Sequence, residues 1–181
     1  MLKVCGLEYM LSDREVKREI LVKENGVDCL GNCIFKAKIK TMDTSKLLKI
    51  INAVRKNTLM ETLKITYTDV GSDFLEATMP VSPEVHQPMG LLHGGATAAL
   101  AESVGSAASH MLIDNDAFQV RGIEITANHL KSVSSGNVIA RACILHKGKT
   151  THLWKIEVRD EQGDLISFCK LTNIVLPKSN K

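Results

Sequence analysis

Between Glu84 and Asp114 lie 29 residues, and Glu102 is the only one of them with a formal charge. Around it stand Ala98, Ala99, Leu100, Ala101, Val104, Ala107 and Ala108, the small apolar residues of a helix packed on most sides. A carboxylate in such surroundings carries a desolvation cost unless it is partnered. Ser106 stands one turn on from Glu102, and Ser109 lies near the same side. A lone carboxylate with small hydroxyls in an apolar surround is suited to general-base or nucleophilic work. The plain alternative is a glutamate on the solvent face of a half-exposed helix. Against it, the helix has no other charge to mark a solvent face.

The start of the same helix offers a second chemical feature. Gln87-Pro88-Met89-Gly90-Leu91-Leu92-His93-Gly94-Gly95 leads an irregular loop into the first turn. Two glycines there leave backbone N–H groups unobstructed at the positive end of the helix dipole, which suits a developing oxyanion or a thioester carbonyl. Taken alone, the glycine pair reads as the requirement of a tight turn. Gly94 and Glu102 are eight positions apart, about 12 Å along a helix. They cannot both reach one reacting carbon from a single chain. If both act, one subunit supplies Gly94 and its mate Glu102, which predicts an isologous dimer with two shared sites.

These residues need a frame. From Met42 onward the chain reads as a self-contained unit. Asp43-Thr44-Ser45 offers helix caps, and Leu47, Leu48, Ile50, Ile51 and Val54 recur on one helical face. Residues 63–68 alternate as a strand, and a second strand runs from Phe74 to Met79. Pro80, Pro83 and Pro88 force an irregular connection into a helix over residues 94–112. Strands follow over residues 120–131, 138–146, 150–159 and 165–175, with a hairpin turn at Glu161-Gln162-Gly163-Asp164. In the third of these, His152, Trp154, Ile156 and Val158 share one face, and Leu153, Lys155, Glu157 and Arg159 the other. The order predicts an α+β fold, an antiparallel sheet wrapped around one long central helix.

Residues 1–41 read as an N-terminal extension. Ser12 and Glu15 form a capping box with Leu11 and Val16 as its staple, and Val16, Ile20 and Leu21 make a short apolar stripe. Asn25-Gly26 is a turn, and residues 33–39 a candidate strand. So short a piece cannot bury a core of its own. Met42 is a candidate functional start codon, which N-terminal sequencing of native protein would test.

Composition narrows the function classes. The 181 residues fit one domain, with 44% hydrophobic and 24% charged residues typical of a globular chain. Twenty-three Lys and Arg against twenty Asp and Glu leave +3, too little for a dedicated nucleic-acid binder. The first residues contain no apolar run of secretory-signal type, and the charge-poor window is too rich in Gly, Ser and His to span a membrane. A cytoplasmic address is expected, where five cysteines are free thiols. Cys29 and Cys33 have no nearby second ligand pair, so they read as buried thiols, with a zinc site the alternative.

At these residues the sequence resembles the hotdog-fold acyl-CoA thioesterases over about residues 58–175. The likeness is carried by residues 75–81, by residues 87–106 with the His93-to-Glu102 spacing, by residues 124–129 and by the strand holding His152 and Trp154. Within that superfamily it is most similar to the 1,4-dihydroxy-2-naphthoyl-CoA thioesterases of menaquinone synthesis and neighbouring aryl-CoA thioesterases. The resemblance implies that Glu102 is the catalytic carboxylate, as nucleophile or as general base. It implies that the Gly94 N–H polarises the thioester carbonyl while Gln87 and His93 order substrate or water. Ser106 would share the catalytic face, and His129 would line the acyl pocket. Lys131, Ser132, Lys149 and Thr150 would hold the CoA phosphates. The implied partners are an acyl-CoA substrate and a second copy of the chain, since the family's dimers often pair further into tetramers. No cofactor is implied beyond the CoA of the substrate, and no metal. His146 and His152 read as structural.

Two other classes compete. A hotdog dehydratase acts on acyl-carrier thioesters with a His and an acid, but the proline-rich motif that follows its His is replaced here by Gly94-Gly95-Ala96. A non-catalytic acyl-CoA sensor would add a DNA-binding helical domain in front, and residues 1–41 contain no basic recognition helix.

Overall fold

The computed structural model describes residues 2–4, 7–9, 44–71 and 73–178. The expected capping box at Ser12 and Glu15 with its staple and stripe, the turn at Asn25-Gly26, the strand over residues 33–39, the Cys29 and Cys33 pair and the Asp43 cap lie outside the described residues. Two three-residue strands, β1 (Leu2–Val4) and β2 (Leu7–Tyr9), pair antiparallel at the start of the chain.

The stripe after Met42 folds as predicted into α1 (Thr44–Ala53), which buries Leu47, Ile50 and Ile51. The next segment departs from expectation. A single helical turn, α2 (Leu59–Thr62), stands before the strand, closed by a 2.9 Å bond from the Leu63 N–H to the Leu59 carbonyl. Lys64 then takes a left-handed φ of 57°, and β3 (Thr66–Val70) begins only after it. The apolar alternation is genuine at Ile65 and Tyr67, both buried. Leu63 belongs to the end of the helical turn and extended the alternating pattern by coincidence.

Beyond β3 the elements match the expected order: β4 (Phe74–Pro80), a 3-10 turn at Pro83–Val85, α3 (Gly94–Met111), β5 (Phe118–His129), β6 (Asn137–Lys147), β7 (Thr151–Asp160) and β8 (Leu165–Pro177). The six long strands form one antiparallel sheet in the order β3-β4-β6-β7-β8-β5. The chain has the hotdog fold, with α3 lying in the curve of the sheet against β4 to β8.

Small residues on α3 allow this close packing. Leu100, Ala101, Val104 and Ala108 are fully buried, and a β-carbon on Gly105 would lie 2.6 Å from Leu171 Cδ2. From the sheet, Leu75, Met79, Val138, Trp154, Ile156 and Leu171 fill the same core. The predicted face of His152, Trp154, Ile156 and Val158 is the buried one. Each aliphatic side chain so buried contributes roughly 1.5–3 kcal/mol.

The strand that ends the sheet matters most for the site. β5 is bonded to β8 on one side only, and its register shifts between Gly122 and Glu124. Ile123 is therefore a bulge residue, and it is 60% exposed. Among the described residues no helix is long and apolar enough to cross a membrane, and no cluster of His, Cys, Asp and Glu is suited to hold a metal.

Candidate active site

The loop before α3 folds back on itself. The Gln87 N–H donates to the Leu91 carbonyl at 2.8 Å, the Gly90 N–H to the Gln87 carbonyl at 2.9 Å, and Gly90 has a φ of 76° that favours glycine. The Gln87 side-chain oxygen accepts from the Met89 N–H. His93 is the N-cap residue of α3. Its Nδ1 accepts from the Gly95 N–H at 2.8 Å, the role usually filled by Ser, Thr, Asp or Asn. This bond leaves Gly94, the first residue of the helix, with its N–H at the positive end of an 18-residue dipole.

His129, the last residue of β5, stands over Gly94: a β-carbon there would meet its Nε2 at 2.6 Å. The ring is oriented from behind. Ser167 Oγ donates to the Asn128 carbonyl at 3.0 Å, which uses its one proton, so its 3.3 Å bond to His129 Nδ1 has the imidazole as donor. In the neutral ring Nε2 then carries the lone pair on the Gly94 side.

Glu102 lies two turns further along α3. The single chain leaves it exposed, which corrects the expectation of a carboxylate enclosed by apolar residues. The helix face that carries it is turned toward β5, the last strand of the sheet, and no described element continues past that edge. A β-carbon on Gly122 would lie 2.8 Å from Glu102 Oε1, so the carboxylate rests against a stretch of backbone without a side chain. Ser106 is half-buried one turn on.

Behind Glu102 sits a polar cluster that the motif reading did not assemble. Ser109, His152, Trp154 and Asn173 are all at most 1% exposed. The Ser109 hydroxyl accepts from Trp154 Nε1 at 2.7 Å and from Asn173 Nδ2 at 2.8 Å. Both its lone pairs are taken, so its proton goes to His152 Nδ1, 3.1 Å away. That requires an unprotonated Nδ1. Burial, reinforced by the charges of Lys147 and His146, lowers the His152 pKa to about 4 and keeps the ring neutral. One signal pointed to Asn173: it shares inward parity on β8 with Leu171 and Val175, where a polar residue needs a partner.

The expected CoA-phosphate residues do not come together within one chain. The Lys131 ammonium is paired with Asp164 and lies 3.8 Å from Asp160, and the bond to Asp164 raises its pKa. Ser132 is exposed beside it. Lys149 and Thr150 form the turn between β6 and β7, at the opposite end of the ten-residue β7 and so about 30 Å away. His146 is exposed next to that turn.

Comparison with known proteins shows the family. Residues 89–167 match the family described as Thioesterase superfamily. The proofreading thioesterase EntH of Cronobacter sakazakii is 46% identical over 129 residues, which span 71% of this chain and 93% of the relative. A thioesterase structure from Pseudomonas aeruginosa, 40% identical, superposes with a TM-score of 0.72 over 72% of this chain and 94% of that one. A thioesterase structure from Staphylococcus aureus, 38% identical, gives 0.64 over 66% and 98%. The chain therefore belongs to the thioesterase superfamily, and it is a hotdog-fold thioester hydrolase.

Proposed function

We propose that the chain hydrolyses an acyl-CoA whose acyl group is aromatic, 1,4-dihydroxy-2-naphthoyl-CoA being the first candidate from the sequence resemblance, to the free acid and CoA. One observation carries the site: Gly94 with His129, and Glu102 with Gly122, are two half-sites on α3 separated by about 12 Å. A second copy completes them. An antiparallel pairing of β5 with β5 of a mate, centred between Ile125 and Thr126, would set Gly122 of one copy opposite His129 of the other. Each Glu102 would then face the partner subunit's Gly94, and the apolar edge at Ile123 would be covered.

In that shared site the Gly94 N–H takes the developing negative charge of the thioester carbonyl oxygen. Gln87 and His93 order the thioester beside it, and Ser106 lies on the carboxylate's side. Glu102 either takes a proton from an attacking water and passes it to the departing sulfur, or attacks the carbonyl carbon to form a mixed anhydride, which water then hydrolyses to the free acid and the regenerated carboxylate while the thiolate takes the proton that water releases. The C–S bond breaks and the CoA sulfur leaves as the thiol. His129 borders the acyl group next to the exposed Leu130. Lys131, Ser132, Lys149 and Thr150 are assigned to CoA phosphates, with the two pairs serving from different subunits.

The Staphylococcus aureus protein supports the choice of Gln87 and Glu102. Its structures were determined with a glutamine or a glutamate replaced, fifteen positions apart, the separation of Gln87 and Glu102 here. The test is release of free thiol from a panel of aryl-CoA, aliphatic acyl-CoA and carrier-bound acyl thioesters. Aryl-CoA should be the best substrate, and Glu102→Ala should lower kcat by at least about 10²-fold. Equal slow release by wild type and Glu102→Ala would refute the assignment. Oxygen labelling from solvent in a single turnover separates direct attack from base catalysis.

A further inference from the structure

Ser167 stands opposite His129 across the β5–β8 ladder, and Cys169, two residues on along β8, shares its face of the sheet. Both side chains are fully buried. Three neighbours meet at the Ser167 hydroxyl: the Asn128 carbonyl at 3.0 Å, His129 Nδ1 at 3.3 Å and Cys169 Sγ at 3.4 Å. A carbonyl can only accept, so it takes the one hydroxyl proton, and two lone pairs are left for the imidazole and the thiol. The thiol has a proton to give, because burial pushes the Cys169 pKa up against a smaller lowering by its bond to Ser167. The hydroxyl is then fully used, with one bond donated and two accepted.

This decides which nitrogen of the neutral His129 ring carries the proton. Nδ1 donates to Ser167, and Nε2 keeps its lone pair. Nε2 lies 2.6 Å from where a β-carbon of Gly94 would stand, and it has no hydrogen-bond partner among the described residues. An acceptor fixed there binds a hydroxyl or an N–H and repels a group that can only accept. The thioester carbonyl oxygen only accepts, so Nε2 does not serve it. What the nitrogen can choose between is the substituents of the acyl group.

We infer that Ser167 is a positioning residue for acyl-group selection: it holds His129 as the Nδ1–H tautomer, so that Nε2 enters the acyl pocket as an acceptor and favours acyl groups that present a hydroxyl or N–H. The inference rests on the placement of His129 beside the acyl group in the proposed function. Ser167 itself does not touch substrate. It acts through the ring, and Asn128 and Cys169 hold its hydroxyl in place.

Two measurements test this. The first is the nitrogen-15 spectrum of the histidine rings at about pH 8, above the ordinary histidine pKa, with the His129 signals assigned by their loss in His129→Asn. Wild type should carry the His129 proton on Nδ1, and Ser167→Ala should move it to Nε2. The second is CoA release from benzoyl-CoA bearing a hydroxyl, amino or methoxy group at each ring position in turn. At the position that faces Nε2, wild type should prefer the hydroxyl and amino forms over methoxy by about tenfold in kcat/KM. Ser167→Ala, whose Nε2–H can donate to either oxygen, should bring hydroxyl and methoxy within about twofold. The ratio is taken within one sample, so partial unfolding of a variant does not move it. Ser167→Thr, which keeps the hydroxyl, should retain the wild-type tautomer and preference. If Ser167→Ala does not fold, the wild-type spectrum and preference decide the matter. A wild-type proton on Nε2, a tautomer unchanged in Ser167→Ala, or equal use of hydroxyl and methoxy forms by wild type would overturn the inference. Release from aliphatic acyl-CoA but from no aryl-CoA would instead overturn the aromatic reading of the substrate, and the two spectra would still decide the role of Ser167.

Discussion

His129 and Gly94 are packed face to face, with Nε2 at 2.6 Å from where a β-carbon of residue 94 would stand. The glycine is needed for that approach, since the first turn of a helix accepts alanine readily. Gly94→Ala should therefore separate activity from stability. The methyl forces the imidazole out of the site and should lower kcat by about 10²-fold. Alanine's better helix propensity should leave the melting temperature unchanged or slightly higher, by the equivalent of up to about 1 kcal/mol. Thioester hydrolysis and thermal melting on one preparation would show whether the two part company.

Complementation tests the shared site. Glu102→Ala and Gly94→Ala homodimers should each be nearly inactive. After the two proteins are unfolded together and refolded at equal amounts, half of the dimers are mixed and each has one intact site of two. About a quarter of wild-type activity should return. Sites built within one chain would return none.

Ser109 is the node of the buried polar cluster, so Ser109→Ala should be costly for its size. The change leaves the Trp154 indole N–H without its 2.7 Å acceptor and one Asn173 N–H without its own. A loss of roughly 2–4 kcal/mol is expected from orphaned donors in a dry site. Urea denaturation should show the midpoint falling at constant slope.

His152 makes stability depend on pH. Its folded pKa of about 4 lies below the ordinary histidine value of 6.5. Between those values the unfolded chain binds the proton and the folded chain does not, so lowering the pH favours unfolding. Above about pH 6.5 neither form is protonated, and below about pH 4 both are, so the loss is confined to that window. It should reach on the order of 3 kcal/mol from this residue. Urea midpoints measured from pH 7 to pH 4 should fall steeply in wild type and less steeply in His152→Asn.

The sequence was most legible where one physical demand acted alone. The missing charges around Glu102 marked α3, and the two-residue alternation through Trp154 and Ile156 identified the inward face of β7. Legibility failed where two demands overlapped. Leu63 continues an alternating pattern while belonging to the end of α2, and only the left-handed Lys64 separates the two. The bulge at Ile123 comes from pairing with β8, some fifty residues away, and nothing local announces it. Lys131 looks like a free cation in the sequence, yet Asp164, brought beside it by the β7–β8 turn, takes its charge. That Gly122 lies opposite Asn173 is set by the register of β5 on β8, which no spacing within either strand encodes.

The open edge of β5 has a consequence for how the protein is handled. On the dimer reading, a separated subunit exposes a twelve-residue strand with its bulged isoleucine at the rim, an attractive template for further strands. Folding and assembly then share one equilibrium, and apparent stability becomes a function of concentration. Each tenfold dilution would remove about 1.4 kcal/mol from the folded dimer. Enzyme assayed at nanomolar levels and enzyme melted at micromolar levels would be two differently populated samples, and a loss of turnover on dilution would report separation of the strands before any heat is applied.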